Sequence, residues 1–188
     1  MKRGSVAFLA FSVLFLAALL AVPSVQAASC NCGAAIIGTP GNDSLSGTAA
    51  SDCIQGRAGD DNLHGFGGDD CLYGEDGNDR LYGYDGADTI WGGNALLGEP
   101  ADDDYADGWT EADHIDGWIG ADTILGWYGA DNLLGFGGAD YIDGEGDNDS
   151  IQGETQNDTL YGGAGTDTIN GGSGTDVCSG GEIVSNCP

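Results

Sequence analysis

The amino-acid sequence predicts an all-β fold, a parallel β-roll in which two sheets face each other and each coil takes eighteen residues. A nine-residue period runs from Gly38 to Ser179 with one interruption, and every unit has glycine at position one and aspartate at position six. Position eight is leucine or isoleucine in thirteen of the fourteen units. A fixed period of this kind indicates a solenoid of nonapeptide repeats.

The repeats fall into two blocks with the same phase pattern. Six units begin at Gly38, Gly47, Gly56, Gly65, Gly74 and Gly83, and eight begin at Gly108, Gly117, Gly126, Gly135, Gly144, Gly153, Gly162 and Gly171. The fourteen aspartates at position six are Asp43, Asp52, Asp61, Asp70, Asp79, Asp88, Asp113, Asp122, Asp131, Asp140, Asp149, Asp158, Asp167 and Asp176.

The units resemble a known repeat family. GGAGTDTIN at Gly162 and GGSGTDVCS at Gly171 are similar to the RTX, or haemolysin-type, calcium-binding nonapeptide GGxGxDxUx, where U is a large apolar residue. Most other units have a residue other than glycine at position two. The resemblance covers about three quarters of the chain, and it implies a calcium-bound β-roll in a small, stand-alone, secreted bacterial protein.

Each unit should fold as a turn followed by a short strand. Glycine at positions one and four allows backbone angles that other residues resist, and the aliphatic residue at position eight belongs in an extended segment. Two units make one coil, so strands two units apart stack in parallel about 4.8 Å from each other. The residues expected to point inward are Leu45, Ile54, Leu63, Leu72, Leu81, Ile90, Ile115, Ile124, Leu133, Ile142, Ile151, Leu160 and Ile169.

The charge of the chain predicts that metal holds this thin core together. The sequence has 31 Asp and Glu against 4 Lys and Arg, a net charge of −27. Stacking puts the position-six carboxylates in columns, where they repel one another unless a cation lies between them. Carboxylate and carbonyl oxygens at turns are the ligands that Ca²⁺ prefers.

The spacing of the aspartates limits the number of ions. Pairs of position-six aspartates eighteen residues apart within a block give at most about ten inter-turn sites for Ca²⁺. We expect fewer to fill, because Ala50, Glu111, Asp147 and Gln156 replace glycine at position four. We also expect a largely unfolded chain without calcium, because binding and folding are coupled when a site does not pre-exist.

The N-terminus is predicted to be a secretory signal peptide, residues 1–27. Lys2 and Arg3 precede an apolar run from Val6 to Val22, and small residues end at Ala27. A retained membrane anchor and a lipidated Cys30 are the alternatives. We therefore expect a secreted, extracellular protein with no transmembrane anchor after processing, in which residues 28–37 form an N-terminal cap.

Six cysteines in a secreted chain favour disulfides. Cys53 and Cys71 share position seven and lie eighteen residues apart, so the repeat register predicts that they pair. Cys178 and Cys187 both fall at position eight and are expected to staple a C-terminal cap, residues 180–188. Cys30 and Cys32 stay open: they bridge each other, exchange with Cys53 or Cys71, or hold metal.

The interruption between repeat block 1 (38–91) and repeat block 2 (108–179) spans residues 92–107. Leu97 stands where the period requires aspartate. We expect an irregular half-coil with a solvent-exposed acidic loop that carries Asp102, Asp103, Asp104 and Asp107, with an additional calcium site there as the alternative.

Several function classes are disfavoured by the sequence. The only histidines, His64 and His114, do not form a zinc-protease motif, and the ten residues between the predicted cleavage site and Gly38 leave no room for a catalytic domain, so we expect no enzyme. The acidic charge opposes nucleic-acid binding. A calcium-binding structural or cell-surface and matrix interaction module remains, with an ice-binding or carbohydrate-binding adhesin-like module as the alternative.

Aromatic residues recur at two positions of the repeat. Phe66, Tyr84, Trp109, Trp118, Trp127 and Phe136 occupy position two, and Tyr73, Tyr82, Trp91 and Tyr161 occupy position nine. Two interpretations fit this pattern: an exposed contact surface for carbohydrate or protein, or packing on neighbouring turns that shields the calcium rows.

Overall fold

A computed structural model describes residues 35–93 and 102–187 of the chain. Within these ranges the chain forms seventeen strands and no helix, and so no helix there is long and apolar enough to cross a membrane. The strands are β1 (Ile36–Ile37), β2 (Ser44–Ser46), β3 (Cys53–Ala58), β4 (Asn62–Gly67), β5 (Cys71–Asp76), β6 (Arg80–Asp85), β7 (Thr89–Trp91), β8 (Tyr105–Thr110), β9 (His114–Ile119), β10 (Thr123–Tyr128), β11 (Asn132–Gly137), β12 (Tyr141–Asp143), β13 (Ser150–Gln152), β14 (Thr159–Tyr161), β15 (Thr168–Asn170), β16 (Val177–Ser179) and β17 (Ile183–Ser185).

The strands alternate between two parallel sheets. The odd-numbered strands form a nine-stranded sheet and the even-numbered strands an eight-stranded sheet, each in chain order. Residues eighteen apart are partners within the repeat blocks, as Leu63 with Leu81 and Leu133 with Ile151. The predicted parallel β-roll with eighteen residues per coil is therefore confirmed.

The core lies between the two sheets and is one side chain thick. Each described coil contributes position-eight residues from both sheets, and twelve of the predicted inward residues, from Ile54 to Ile169, have no exposed surface. Leu45, at the N-terminal end, is half-buried and packs against the same cluster. Because strands alternate their side chains, positions seven and nine face outward.

Many strands are longer than the predicted brief segments. β3 to β6 and β8 to β11 have six residues each and continue through position three of the next unit. The position-two residues in these strands adopt positive φ angles between 69° and 92°, a region that non-glycine residues rarely occupy. They are Arg57, Phe66, Glu75, Tyr84, Trp109, Trp118, Trp127 and Phe136. The large side chains that replace glycine at this position are thereby carried to the outer face of each sheet.

The expected acidic loop at 92–107 is wrong in its second half. β8 lies between β6 and β10 in the eight-stranded sheet, with Tyr105 beside both Arg80 and Thr123. Asp104 and Asp107 are buried, and Ala106 takes a place in the core. The interruption thus lengthens the step between neighbouring strands to 25 residues without breaking either sheet, and the roll is continuous. Leu97 lies outside the described residues.

The C-terminal staple forms, but in a different register from the one predicted. Cys178 and Cys187 are disulfide-bonded, with their Cα atoms 5.9 Å apart. In β17 the partner of Ile169 is Val184, fifteen residues later, so the last half-coil is three residues shorter than a repeat. Cys187 therefore follows the final strand instead of occupying its central position.

Cys53 and Cys71 are register partners on β3 and β5, as predicted, and each is disulfide-bonded. A bond between the two stays a prediction, and Cys30 and Cys32 lie outside the described residues, as does the predicted signal peptide. Cys71 belongs to a small buried cluster on the outer face of the nine-stranded sheet, with Tyr73 and Trp91. Position seven and position nine are therefore not uniformly exposed on that face.

Candidate metal centre

The position-six aspartates form two columns, one along each sheet. Each aspartate directly precedes a strand, so the carboxylates line up at the amino ends of the parallel strands. One column borders the eight-stranded sheet and runs from Asp43 to Asp176; the other borders the nine-stranded sheet and runs from Asp52 to Asp167. The structure therefore brings all fourteen predicted aspartates together in these columns.

Each column is a ladder of hydrogen bonds from backbone to side chain. The backbone N–H of one aspartate donates to Oδ1 of the aspartate one coil later, at 2.7–3.0 Å. Thirteen such steps connect Asp43–Asp61, Asp61–Asp79, Asp79–Asp104, Asp104–Asp122, Asp122–Asp140, Asp140–Asp158 and Asp158–Asp176 in one column, and Asp52–Asp70, Asp70–Asp88, Asp88–Asp113, Asp113–Asp131, Asp131–Asp149 and Asp149–Asp167 in the other. Oδ1 of every aspartate in the columns except Asp43 and Asp52 thus accepts a hydrogen bond from the preceding coil.

The second oxygen is buried without a hydrogen-bond partner. This holds for Oδ2 of thirteen aspartates, namely Asp61, Asp70, Asp79, Asp88, Asp104, Asp113, Asp122, Asp131, Asp140, Asp149, Asp158, Asp167 and Asp176. A buried carboxylate oxygen without a partner is costly, and a regular series of them needs a compensating charge. Because these carboxylate oxygens have no other partner, the columns fit bound cations.

Because glycine at position one has no side chain, it leaves room for the unpartnered Oδ2 atom. A Cβ atom on Gly56 would collide with Asp61 Oδ2, and it would lie 2.9 Å from the carbonyl oxygen of Gly74 in the next coil. Carboxylate and backbone carbonyl oxygens therefore converge on a space that only glycine leaves open. Both are hard oxygen donors of the type that Ca²⁺ takes.

The two aspartates of the first coil differ from the rest. Oδ2 of Asp43 accepts a hydrogen bond from the Thr39 backbone N–H at 2.5 Å, and Oδ2 of Asp52 accepts one from Thr48 at 2.6 Å. Asp43 and Asp52 are also only half-buried. Their second oxygens are already satisfied, so the first coil is a poorer metal site than those that follow.

Burial raises the pKa of the inner aspartates. It brings the pKa of Asp79 and Asp88 to about 7 and that of Asp104 and Asp113 to about 9, with neighbouring carboxylates adding to the effect. The backbone N–H bond from the preceding coil opposes this rise in each case. A carboxyl group that burial makes hard to ionise is stabilised as an anion when a cation lies beside it.

The donors do not form compact clusters of side chains. Among the residues that the structure describes, no group of three or more His, Cys, Asp or Glu side chains has metal-binding spacing. The candidate sites instead combine carboxylates from successive coils with backbone carbonyls. Calcium binding by the fourteen aspartates stays a prediction.

Two carboxylates in the columns were missed by the repeat pattern. Asp104 occupies the position-six place of the interrupted unit, and Glu182 ends the second column by accepting the Asp167 backbone N–H at 2.8 Å. The sequence signal for Asp104 was the spacing of two residues to Ala106, which holds position eight. Glu182 has the same spacing, two residues before Val184, but the shortened last half-coil puts both residues out of phase with the nine-residue period.

The repeats match a known family by comparison. The model of the RTX calcium-binding nonapeptide repeat (4 copies) matches residues 37–70, 64–95, 101–124, 119–151 and 143–178. A comparison with curated proteins gave no match. The matched segment 101–124 includes Asp104, in agreement with its place in the column.

Proposed function

Because the chain belongs to the family of RTX calcium-binding nonapeptide repeat proteins, we propose that it is a secreted protein whose β-roll folds when Ca²⁺ binds outside the cell. The folded roll then acts as a structural or interaction module at a cell surface or in a matrix. Bound Ca²⁺ supplies the positive charge that the carboxylate columns require.

The unpartnered Oδ2 atoms are the observation that carries this proposal. Thirteen buried carboxylate oxygens without partners belong to a chain of net charge −27. The aliphatic core between the sheets is only one side chain thick, so it offsets little of the entropy lost on ordering the chain. Without cations, the roll must therefore bear both the repulsion within the columns and the cost of burial.

Secretion is supported by the predicted signal peptide, residues 1–27. Extracellular calcium modules bind with dissociation constants of about 10⁻⁴–10⁻³ M. Sites of that strength stay empty inside a cell and fill outside, because occupancy follows the free calcium concentration. Folding would then follow export.

A binding role fits the remaining chemistry better than catalysis. His64 lies on the eight-stranded sheet, where it stacks on Tyr82, and His114 lies on the nine-stranded sheet beside Asp116. The two histidines are thus on opposite faces and do not share a site.

The test is a calcium titration followed by circular dichroism and calorimetry on the processed chain. We expect a largely unfolded spectrum in calcium-free buffer, a cooperative gain of β-structure at millimolar Ca²⁺, and several ions bound per chain. Mg²⁺, which demands a stricter octahedral geometry, should be a weak substitute. A spectrum that does not change with Ca²⁺ would overturn the proposal.

A further inference from the structure

The outer face of the nine-stranded sheet carries a small buried cluster of Cys71, Tyr73 and Trp91, which we call the outer cluster. Their side chains are only 8%, 6% and 9% exposed. Cys53 packs against the outer cluster and is the register partner of Cys71 on the neighbouring strand. All four residues occupy outward positions of the repeat, which face solvent unless something covers them.

The outer cluster is better covered than its counterpart on the eight-stranded sheet. At the same repeat position as Tyr73, Tyr82 and Tyr161 on that sheet are only half-buried. All seventeen strands that the structure describes belong to the two sheets, so none of these strands lies over the outer cluster. A covering segment from elsewhere in the chain accounts for the difference.

The two cysteines on this face are both disulfide-bonded. The C-terminal disulfide takes two of the six cysteines of the chain, so within one chain Cys53 and Cys71 are bonded either to each other or to the two cysteines that precede residue 35. Their Cα spacing allows a direct bond, but their Cβ spacing opposes it. Side chains at equal positions of neighbouring parallel strands point the same way, so their Cβ atoms lie about 4.8 Å apart. A disulfide usually needs about 3.5–4.5 Å between these atoms.

The chain that leads into β1 starts close to Cys53. β1 pairs with β3 so that Ile36 lies beside Ile54, which places residue 35 beside Cys53. Cys32 is three residues before residue 35. Three residues span at most about 10 Å, and one strand spacing is about 4.8 Å, so Cys32 reaches Cys53.

The same chain segment reaches Cys71 with its other cysteine. Cys30 is five residues before residue 35, a span of at most about 17 Å. Cys71 lies two strands from residue 35, at about 10 Å. A chain that turns back from β1 across the outer face therefore meets β3 with its nearer cysteine and β5 with its farther one.

We propose that residues 28–34 form a strap over the outer cluster, held by disulfides from Cys32 to Cys53 and from Cys30 to Cys71. Each bond forms by thiol–disulfide exchange with an external disulfide oxidant. The two cysteine thiols lose two electrons and two protons, and the oxidant leaves as two thiols. The strap goes beyond the proposed function, and only its oxidising surroundings rest on the proposed export.

The strap secures the coil that calcium serves least. Oδ2 of Asp43 and Oδ2 of Asp52 already accept hydrogen bonds within the first coil. A terminal coil also has a neighbouring coil on one side only. Covalent bonds to β3 and β5 hold this end of the roll, as the disulfide between Cys178 and Cys187 holds the other end.

The experiment is a non-reducing peptide map of the processed chain. The chain is folded in Ca²⁺ with a disulfide oxidant, alkylated, unfolded with chelator and cleaved before aspartate, which separates the cysteine-bearing peptides 28–42, 52–59 and 70–75. We expect one species in which all three peptides are linked, and its fragmentation should show Cys32 bonded to Cys53. A species of 52–59 and 70–75 alone, beside an internally bridged 28–42, would overturn the proposal.

A second measurement tests whether the strap covers the outer cluster. In the variant Cys30→Ser/Cys32→Ser, oxidative footprinting in Ca²⁺ should label Trp91 about fivefold faster, because loss of the cover takes its exposed fraction from 9% towards the 41% of Trp109. Trp109 lies on the opposite sheet and should keep its rate. Unchanged labelling of Trp91 in this variant would overturn the strap as the cover.

The matched control is Cys178→Ser/Cys187→Ser, which removes a disulfide from the other end of the roll and should leave Trp91 protected. Circular dichroism in Ca²⁺ verifies that both variants fold. The peptide map needs no variant, so it decides the pairing even where a variant does not fold.

Failure of the strap and failure of the proposed function are distinguishable. If the chain gains β-structure with Ca²⁺ but the three-peptide species is missing, only this inference fails. If the three-peptide species forms but the spectrum does not respond to Ca²⁺, the strap stands and the proposed function fails.

Discussion

The backbone N–H of Asp79 donates a hydrogen bond to the Asp104 carboxylate at 2.8 Å, although 25 residues separate them. Asp104 lies between Asp79 and Asp122 in its column. Its Oδ2 atom is buried without a hydrogen-bond partner. The insertion therefore leaves the column of carboxylates uninterrupted. Asp104 takes part in two inter-turn slots that the nine-residue period alone does not contain.

Asp104→Asn should weaken calcium binding while leaving the fold intact. The amide keeps the hydrogen-bond acceptor for Asp79 but removes one anionic donor from two slots. We expect one or two fewer ions bound by calorimetry and a midpoint of calcium-induced folding about tenfold higher, which corresponds to about 1.4 kcal/mol.

Asp103→Asn is the control for this variant, since it removes the same charge from the neighbouring, exposed residue. Its folding midpoint should move less than twofold. Equal shifts in the two variants would mean that only net charge matters and that Asp104 holds no ion.

The pH dependence of folding should reverse when calcium is removed. Burial raises the folded-state pKa of Asp131 to about 6 and that of Asp113 to about 9, above the unfolded value near 4. The protonated carboxyls therefore favour the fold below about pH 4, and this contribution is lost as the pH rises through 6 to 9. In calcium-free buffer, β-structure measured by circular dichroism should be greater at pH 5 than at pH 9.

At a Ca²⁺ concentration that just saturates the sites at pH 8, the order should be the opposite, because protons compete with the ions for the same oxygens. The β-signal should be full at pH 8 and the calcium affinity lower at pH 5. A calcium-free chain that folds equally at both pH values would contradict the burial of unpaired carboxylates.

The nine-residue period predicted the sheets and core because it acts through backbone geometry. Glycine, aspartate and an aliphatic residue at fixed spacing determine turn and strand together, so Leu63 and Leu81 could be paired from the sequence alone. The nine-residue period does not predict Asp104, because its unit lacks the initial glycine from which the repeats are recognised. The deviation at Glu182 arises from the length of the last loop, which the period does not encode.

The outer faces were less predictable for a related reason. Position nine faces outward in every unit, yet Tyr73 is buried and stacks on Trp91 at 4.5 Å, while Tyr128 at position three is exposed. The alternation of side chains along a strand predicts which face of the sheet a residue points to, but not which neighbouring residues cover it. Burial on an outer face depends on neighbours that are distant in sequence.

Leu133 and Leu134 offer a direct test of the inward register. They are adjacent on β11, and Leu133 has no exposed surface while Leu134 is half-buried on the outer face. Leu133→Ala should lower the free energy of unfolding in Ca²⁺ by about 2–5 kcal/mol because it leaves a cavity in a thin core. Leu134→Ala should cost about 1 kcal/mol or less. Denaturant unfolding measures both, and equal losses would contradict the register.

The disulfide between Cys178 and Cys187 should stabilise the last coil more than the rest of the roll. It closes a loop of nine residues, for which the restriction of the unfolded chain contributes about 2–3 kcal/mol. In a solenoid each coil contacts only its neighbours, so the loss should stay local. Replacing both cysteines by serine should speed hydrogen exchange in β15 to β17 and leave β4 and β6 unchanged, as followed by mass spectrometry in Ca²⁺. Uniformly faster exchange along both sheets would instead mean that the roll unfolds as one cooperative unit.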